Sequence, residues 1–253
     1  MILTCVGTGT AAPQPDRVCS GFLLETSGLR ILFDCGSGVV HAMARRLIDW
    51  QTITHLALSH FHNDHIGDVP MLFFAWKYGM RPARATPLVV IGPSGTRQLL
   101  ARMADVFGTH LTETNFPVEY AELQSGQAVR LNDTFELRAC KTPHTPESLA
   151  YRVDGDGRAF CYTGDTGRSE EVAKFAQGVD AMVTECSMPE AEAMDTHLTP
   201  ARVVAMARVA LPKRLVLTHV YPQLERARVP ALLREAGWPA PVELPDDGTR
   251  IEL

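Results

Sequence analysis

The stretch Ser59–Asp68, SHFHNDHIGD, places three histidines and an aspartate within six consecutive positions. These residues are His60, His62, Asp64 and His65. Imidazole and carboxylate groups are the side chains that bind zinc and neighbouring transition metals. A lone H-x-H pair is often a solvated surface pair, but the longer pattern H-x-H-x-D-H is more specific. The stretch therefore predicts a metal site.

Further ligand-type residues occur outside this stretch, each at or just past the end of an apolar segment with strand character. Four such segments lead to His60, His144, Asp165 and His219. Rigid buried strands fix the direction of the loops that follow them, so that loops at one edge of a sheet can converge on one site. We therefore expect these residues to meet the quoted stretch at a single centre.

The combined set comprises five imidazoles, two carboxylates and no thiolate: His60, His62, Asp64, His65, His144, Asp165 and His219. Seven ligands exceed the needs of one tetrahedral ion but suit two ions roughly 3.5–4 Å apart. Zinc is the expected metal, with manganese or iron as alternatives for the same donors. Such ions lower the pKa of bound water toward ~7 and so supply a hydroxide nucleophile at neutral pH.

Length and composition are typical of a globular enzyme. The chain has 253 residues, of which 45% are hydrophobic, and its formal net charge is −5. We expect one domain over residues 1–253, without a broad nucleic-acid-binding face, which would need clustered cations. The first residues, MILTCVGTGT, lack the basic and apolar regions of a secretory signal, and no apolar run reaches ~18 residues. A cytoplasmic protein with six reduced cysteines and no membrane contact is therefore expected.

Strand-like and helix-like segments alternate in both halves of the chain, which predicts an α/β architecture of two sheets packed face to face with helices outside. Asp68 and Ser94 are predicted to cap two helices, and Gly79 to end the first of them. The run DGDG, 154–157, predicts a hairpin turn.

The pattern SHFHNDHIGD resembles the signature of the metallo-β-lactamase fold superfamily. That family is a four-layered αβ/βα sandwich with a metal site at one edge. Further segments fall in the order seen in its ribonuclease Z branch, namely GTGTAAPQPDRVCSG, ILFDCGSG, PLVVIGPSG, CYTGDT, VDAMVTECS, HLTP and LVLTH. The resemblance covers nearly the whole chain and implies a dinuclear metal hydrolase.

The resemblance also implies a role for each site residue. Each ion would have three terminal ligands, which are His60, His62 and His144 for one ion and Asp64, His65 and His219 for the other. Asp165 would bridge the two ions. His197, in HLTP, matches a branch histidine near the scissile phosphate, and Glu185, in TEC, matches the acid that orients it. The implied catalytic residues are Asp64, His197 and Glu185.

Two departures from the branch bear on the substrate. Ribonuclease Z enzymes grip transfer RNA with an arm, inserted in the bacterial form between the positions that match His144 and Asp165. Here only the twenty residues 145–164 separate them, and one predicted hairpin accounts for nearly all. The branch motif S-P-R after the last ligand histidine is replaced by VYPQ. We therefore expect a metal-bound hydroxide to attack small phosphodiesters, with RNA as a less favoured partner and transfer-RNA 3′ processing as the alternative.

Other readings stay open at this point. The same metals could act on an acyl centre, such as a lactone, thioester, ester or β-lactam, although His197 and Glu185 favour phosphorus. A third class is a redox or binding protein, against which stands the intact ligand set. The apolar segment MLFFAWKYGM, 71–80, could form a homodimer interface or a substrate wall. Asp34 could orient a ligand or cap a strand end, and Arg81 and Arg84 could contact a phosphate.

Overall fold

The computed structural model describes residues 1–253 and contains two β-sheets and seven α-helices. The strands of the first sheet are β1 (Ile2–Gly7), β2 (Gly21–Thr26), β3 (Leu29–Phe33), β4 (His55–Ala57), β5 (Leu88–Pro93), β6 (Val118–Leu123) and β13 (Arg250–Glu252). The strands of the second sheet are β7 (Ala128–Arg130), β8 (Glu136–Lys141), β9 (Leu149–Gly155), β10 (Arg158–Tyr162), β11 (Ala181–Glu185) and β12 (Arg214–Thr218). The spatial orders are β13-β1-β2-β3-β4-β5-β6 and β12-β11-β10-β9-β8-β7.

The helices lie mainly on the outer faces of the two sheets and complete four layers. They are α1 (Val39–Arg45), α2 (Asn63–Ile66), α3 (Val69–Tyr78), α4 (Thr96–Phe107), α5 (Glu170–Phe175), α6 (Pro200–Ala210) and α7 (Val229–Glu235). One apolar core lies between the sheets, where the rings of Phe33 and Phe160 are 5.3 Å apart. A second core packs Trp76 of α3 against the first sheet, and a third packs Val204 of α6 against the second. The predicted αβ/βα sandwich is confirmed.

Parallel pairing brings strand ends to a common edge. Strands β3 to β6 are parallel to one another in the first sheet, and β10 to β12 are parallel in the second. Within the second sheet Glu185 pairs with Thr218, so that the last residues of β11 and β12 lie side by side. The loops that follow these strands therefore leave at one edge, as the spacing of the ligand-type residues predicted.

The segment 145–164 forms a hairpin and nothing longer. Strands β9 and β10 pair antiparallel, and their turn places Asp156 at φ 50° and Gly157 at φ 67°. Left-handed backbone at both central positions of a two-residue turn matches the twist of the flanking strands and favours Asp and Gly there. The DGDG turn is thus confirmed, and the chain has no protruding arm between His144 and Asp165.

Asp68 occupies the N-cap position of α3 as predicted, but its side chain does not cap the helix, and Ser94 is not the N-cap residue of α4. The Asp68 carboxylate accepts a hydrogen bond from the Val40 amide at 2.9 Å instead of capping α3. Ser94 lies one residue too early, because α4 follows a left-handed Gly95. The Glu122 carboxylate on β6 accepts from the Gly95 amide at 3.2 Å, so a charged side chain from a neighbouring strand satisfies the start of this helix.

All six cysteines are free thiols, and five of them are buried, as expected for structural cysteines. Helix α3 buries Phe73 and Trp76 on one face but leaves Met71, Phe74 and Tyr78 about half exposed on the other. The segment 71–80 therefore carries more apolar surface than the core uses. None of the helices has the length and apolar character needed to cross a bilayer.

Candidate metal centre and active site

The quoted stretch forms one tight unit at the sheet edge. His60 follows β4, His62 is the N-cap residue of the four-residue helix α2, and Asp64 and His65 lie within that helix. A single helical turn projects neighbouring side chains into the same small space. His60 and His65 are fully buried, whereas His62 is exposed, so the cluster opens to solvent on the His62 side.

His60, His62 and His144 form the first group of potential ligands, and one ligand atom from each lies within 4.8 Å of the others. The ring centroids are 4.7 Å apart for His60 and His62 and 4.8 Å for His60 and His144. His144 Nε2 lies 3.1 Å from His62 Nδ1. Three imidazole nitrogens thus converge on a point that a metal ion of the expected size can fill.

Asp64, His65 and His219 form the second group. His219 Nε2 lies 3.2 Å from Asp64 Oδ2, and His65 Nε2 lies 3.8 Å from the same oxygen. Asp165 lies between the two groups, with Oδ1 at 3.3 Å from His65 Nε2 and Oδ2 at 3.7 Å from His144 Nε2. Its carboxylate therefore faces ligands of both groups, as a bridging group would.

The cluster contains a buried nitrogen that no protein group satisfies. The Nε2 atom of His60 has no hydrogen-bond partner although the side chain is buried, and that of His65 faces only the Asp165 carboxylate, at 3.3 Å. Burial and the neighbouring imidazoles hold the pKa of His60 well below its ordinary value, which keeps the ring neutral with a lone pair available. Unpaired buried polar atoms are costly unless another group completes them. The residues fit a divalent ion at each group.

In three of these histidines the Nδ1 atom, which points away from the cluster centre, contacts another group of the protein. His144 Nδ1 donates to the Thr196 carbonyl at 3.0 Å, and His219 Nδ1 lies 3.1 Å from Ser187 Oγ. His60 Nδ1 lies 3.0 Å from Ser59 Oγ. Metal-binding histidines commonly use the second ring nitrogen in this way, because the contact fixes the tautomer and the ring orientation.

Asp34 acts on the site through His65 and not as a strand cap alone. Its Oδ2 accepts from His65 Nδ1 at 2.6 Å, from Ser59 Oγ at 2.7 Å and from the Tyr162 hydroxyl at 2.7 Å. Gly164 lies beside this cluster, where a Cβ would meet the Ser59 side chain at 2.7 Å. Glycine is thus required for the loop carrying Asp165 to approach Ser59.

His197 and Glu185 form a buried pair beside the two groups. His197 Nδ1 donates to Glu185 Oε1 at 3.0 Å, and the Thr166 and Leu198 amides donate to the same carboxylate. The His197 ring lies 4.8 Å from the His144 ring. Burial alone would lower the pKa of His197, but the hydrogen bond and charge of Glu185 outweigh it, and the pKa is raised. The imidazole can therefore carry a proton at Nε2, the nitrogen left free by Glu185.

The structure brings together all the site residues named from the sequence but not the two arginines. Arg84 is buried and donates to the Gln51 and Ile53 carbonyls, with its guanidinium 4.8 Å from the Trp76 ring. It stabilises a loop and contacts no site residue. Sequence reasoning missed Thr196 and Ser187, which contact the Nδ1 atoms of His144 and His219, and Tyr221, two positions after His219. The only signal for these residues was their closeness to HLTP, TEC and LVLTH in the sequence.

Comparison with known proteins agrees with this geometry. Residues 29–220 match the family model described as the Beta-lactamase superfamily domain. A curated ribonuclease Z from Mycobacterium marinum is 30% identical, over 99% of this chain and 95% of the relative. The human short-form tRNase Z (ELAC1) superposes with a TM-score of 0.80 and 25% identity, covering 100% of this chain and 99% of that one. The metallo-β-lactamase fold protein YhfI from Bacillus subtilis gives a TM-score of 0.86 at 20% identity, over 99% and 98% of the chains.

An αβ/βα sandwich with a histidine and aspartate cluster at one edge defines a metal-dependent hydrolase, here of the phosphodiesterase type. The chain belongs to the metallo-β-lactamase fold superfamily, in its ribonuclease Z-like branch. The family resemblance noted in the sequence is thereby confirmed. The family and the donor set together indicate that the cluster binds divalent metal.

Proposed function

We propose that this chain is a dinuclear phosphodiesterase that cleaves RNA near its 3′ end, in line with the transfer-RNA 3′ processing that the sequence resemblance implied as the alternative. The observation that carries the proposal is the buried pair of His197 and Glu185, 4.8 Å from the His144 ring in the ligand cluster. The relatives support an RNA substrate because the similarity runs over 99% of the chain. The sequence favoured small phosphodiesters over RNA as the substrate. The relatives reverse this ranking, and RNA becomes the first candidate.

Two zinc ions are the proposed cofactors, since imidazoles and carboxylates make up all the donors. Their proposed ligands are His60, His62 and His144 for one ion and Asp64, His65 and His219 for the other, with Asp165 between them. When bound, the ions supply activation of water and neutralise charge on the phosphoryl oxygens.

The residues of the chain have separate tasks in this proposal. Asp64 and Asp165 would provide the negative charge that two bound cations need. Glu185 accepts from His197 Nδ1 and thereby keeps the other ring nitrogen, Nε2, free for the substrate. His197 then holds or transfers a proton at the leaving oxygen, the role of a general acid. The buried Glu185 also receives two backbone amides, so its carboxylate cannot rotate away from His197.

A polar groove beside the cluster suits a strand of phosphates. It has a volume of about 610 Å³, and its lining includes His144, the cations Lys141 and Arg168, and the acids Glu171 and Asp195. Arg168 is exposed, so its guanidinium is open to a phosphate. The exposed side chains of Met71, Phe74 and Tyr78 support a homodimer, in which a second chain could extend this groove.

Small phosphodiesters are the second candidate, favoured by a specific observation. The hairpin of β9 and β10 fills residues 145–164 and leaves no arm to hold the body of a transfer RNA. The net charge of −5 adds little attraction for a long RNA, because each phosphate contact requires a cation. A substrate no larger than a few nucleotides would need neither an arm nor many cationic contacts.

We expect the chain to remove a 3′ trailer from precursor RNA with a kcat/KM above that for bis(p-nitrophenyl) phosphate. The test measures both substrates with zinc-loaded protein at two salt concentrations, using a p-nitrophenyl ester and a β-lactam as acyl controls. Turnover of the small diester with no trailer removal would replace the RNA proposal by the small-diester candidate. Fast acyl hydrolysis with slow turnover of both diesters would overturn both.

A further inference from the structure

Tyr221 is an aromatic residue at the mouth of the site whose role the ligands and the His197 pair leave unexplained. It lies in the turn after β12, two positions beyond His219. Its ring centroid is 5.4 Å from that of His219 and 6.3 Å from that of His197, in edge-to-face orientations of 73° and 69°. The residue is partly exposed. It therefore contacts the cluster on one side and meets solvent on the other.

The backbone on both sides of Tyr221 is anchored, so the ring has a defined position. The Tyr221 amide donates to the Ser187 carbonyl at 3.3 Å, and the side-chain amide of Gln14 donates to the Val220 carbonyl at 3.3 Å. Its hydroxyl lies near the Ala11 backbone. Tyr221 thus lies between the 10–15 loop and the rings of His197 and His219.

The side chain of Tyr221 contributes little to the apolar cores of the protein. Tyr151 and Tyr162 are fully buried between the sheets, and their hydroxyls donate to the Leu58 carbonyl and to Asp34. Tyr221 belongs to none of the three apolar cores. A large ring that is held in place, partly exposed to solvent and next to the reacting groups offers a surface for a planar ligand group. Proteins that bind single-stranded RNA stack its bases on rings of this kind.

We propose that Tyr221 is a substrate-contacting residue that stacks on the base of the nucleotide adjoining the scissile phosphate. This inference rests on the proposed function and makes it more specific, because it assigns the enzyme to nucleotide-containing diesters. The ring centroids of Tyr221 and His197 are 6.3 Å apart, so the base of a nucleotide whose phosphate lies beside His197 can reach the Tyr221 ring. A simple alkyl phosphate would reach the cluster without touching the ring.

The test separates the ring of Tyr221 from its hydroxyl. We compare Tyr221→Ala and Tyr221→Phe by calorimetric binding of uridine 5′-monophosphate and of methyl phosphate to the zinc-loaded protein. Tyr221→Ala should weaken uridine monophosphate binding by roughly 5- to 150-fold, the fold-change that corresponds to one lost stacking contact. Tyr221→Phe should bind within about twofold of the unmodified chain, since stacking needs only the ring. Methyl phosphate should bind all forms equally.

Tyr120→Leu is the matched control, because Tyr120 is a partly exposed tyrosine on β6 outside the site. Tyr221→Leu replaces the alanine variant if that variant does not fold. An equal loss of affinity for uridine monophosphate and methyl phosphate in Tyr221→Ala would mean that the ring only supports His219. A loss of uridine monophosphate affinity in Tyr221→Phe as large as that in Tyr221→Ala would assign the contact to the hydroxyl. Either result, or unchanged binding in Tyr221→Ala, overturns the proposal.

Turnover distinguishes failure of the inference from failure of the proposed function. The same variants are assayed with thymidine 5′-(p-nitrophenyl phosphate) and methyl p-nitrophenyl phosphate. If Tyr221-dependent nucleotide binding is found but neither diester is cleaved, the proposed function is wrong while the stacking contact stands. If both diesters are cleaved and neither rate depends on Tyr221, the stacking contact is wrong while the proposed function stands.

Discussion

Asp165→Ala should lose bound metal and hydrolytic activity together. The carboxylate lies 3.3 Å from His65 Nε2 with one oxygen and 3.7 Å from His144 Nε2 with the other, so it faces both ligand groups. Without it, two cations placed close together would lack their shared negative group. Loss of the several kcal/mol of transition-state stabilisation that such ions supply predicts a fall in kcat of more than ~10³-fold.

The measurement for Asp165→Ala pairs elemental analysis with turnover of bis(p-nitrophenyl) phosphate. Asp105→Ala is the control, since Asp105 is an exposed residue of α4 that should affect neither quantity. A variant at Asp165 that kept two ions per chain would show that the carboxylate does not bridge. Circular dichroism of both variants would separate metal loss from unfolding.

His197→Ala should leave metal content nearly unchanged and lower kcat for phosphodiesters by roughly 10²–10⁴-fold, the range for a lost general acid or base. The physical reason is that His197 Nδ1 is occupied by Glu185, and only Nε2 faces the reacting groups. Glu185→Gln should have a smaller effect in the same direction, because it keeps the ring in place but weakens the acceptor for Nδ1.

The geometry also allows a competing role that the His197 variant can reveal. His197 lies within ligand distance of His144 and Asp165, so it could be a metal ligand. Loss of metal from His197→Ala would establish that role and remove the proposed acid. His41→Ala, on the exposed face of α1, provides the matched histidine control with unchanged metal and rate.

Much of this site was predictable because several of the side chains that meet in it form a dense local pattern. The stretch from His60 to His65 alone indicated a metal, and the strand-end positions of His144, Asp165 and His219 indicated that these residues join it at one edge. The alternation of strands and helices predicted the layers. These patterns lie close together in the sequence or at the ends of rigid strands. They can therefore be recognised in the sequence without knowledge of the tertiary structure.

Other features depend on partners that are distant in sequence. The Glu122 carboxylate that satisfies the start of α4 comes from β6, so local preference selected Ser94 wrongly. The choice between ligand orientation and strand capping for Asp34 needed the position of Tyr162, 128 residues away. The pairing of β13 with β1 joins the two ends of the chain, which no local pattern encodes.

Metal titration of stripped protein, followed by turnover of bis(p-nitrophenyl) phosphate, tests the central claim most directly. Hydrolysis should be absent without metal and should rise with added zinc to a plateau at about two equivalents per chain, as expected for paired ions. A chain that binds neither zinc nor manganese, or that hydrolyses the diester equally well when stripped of metal, would contradict the account.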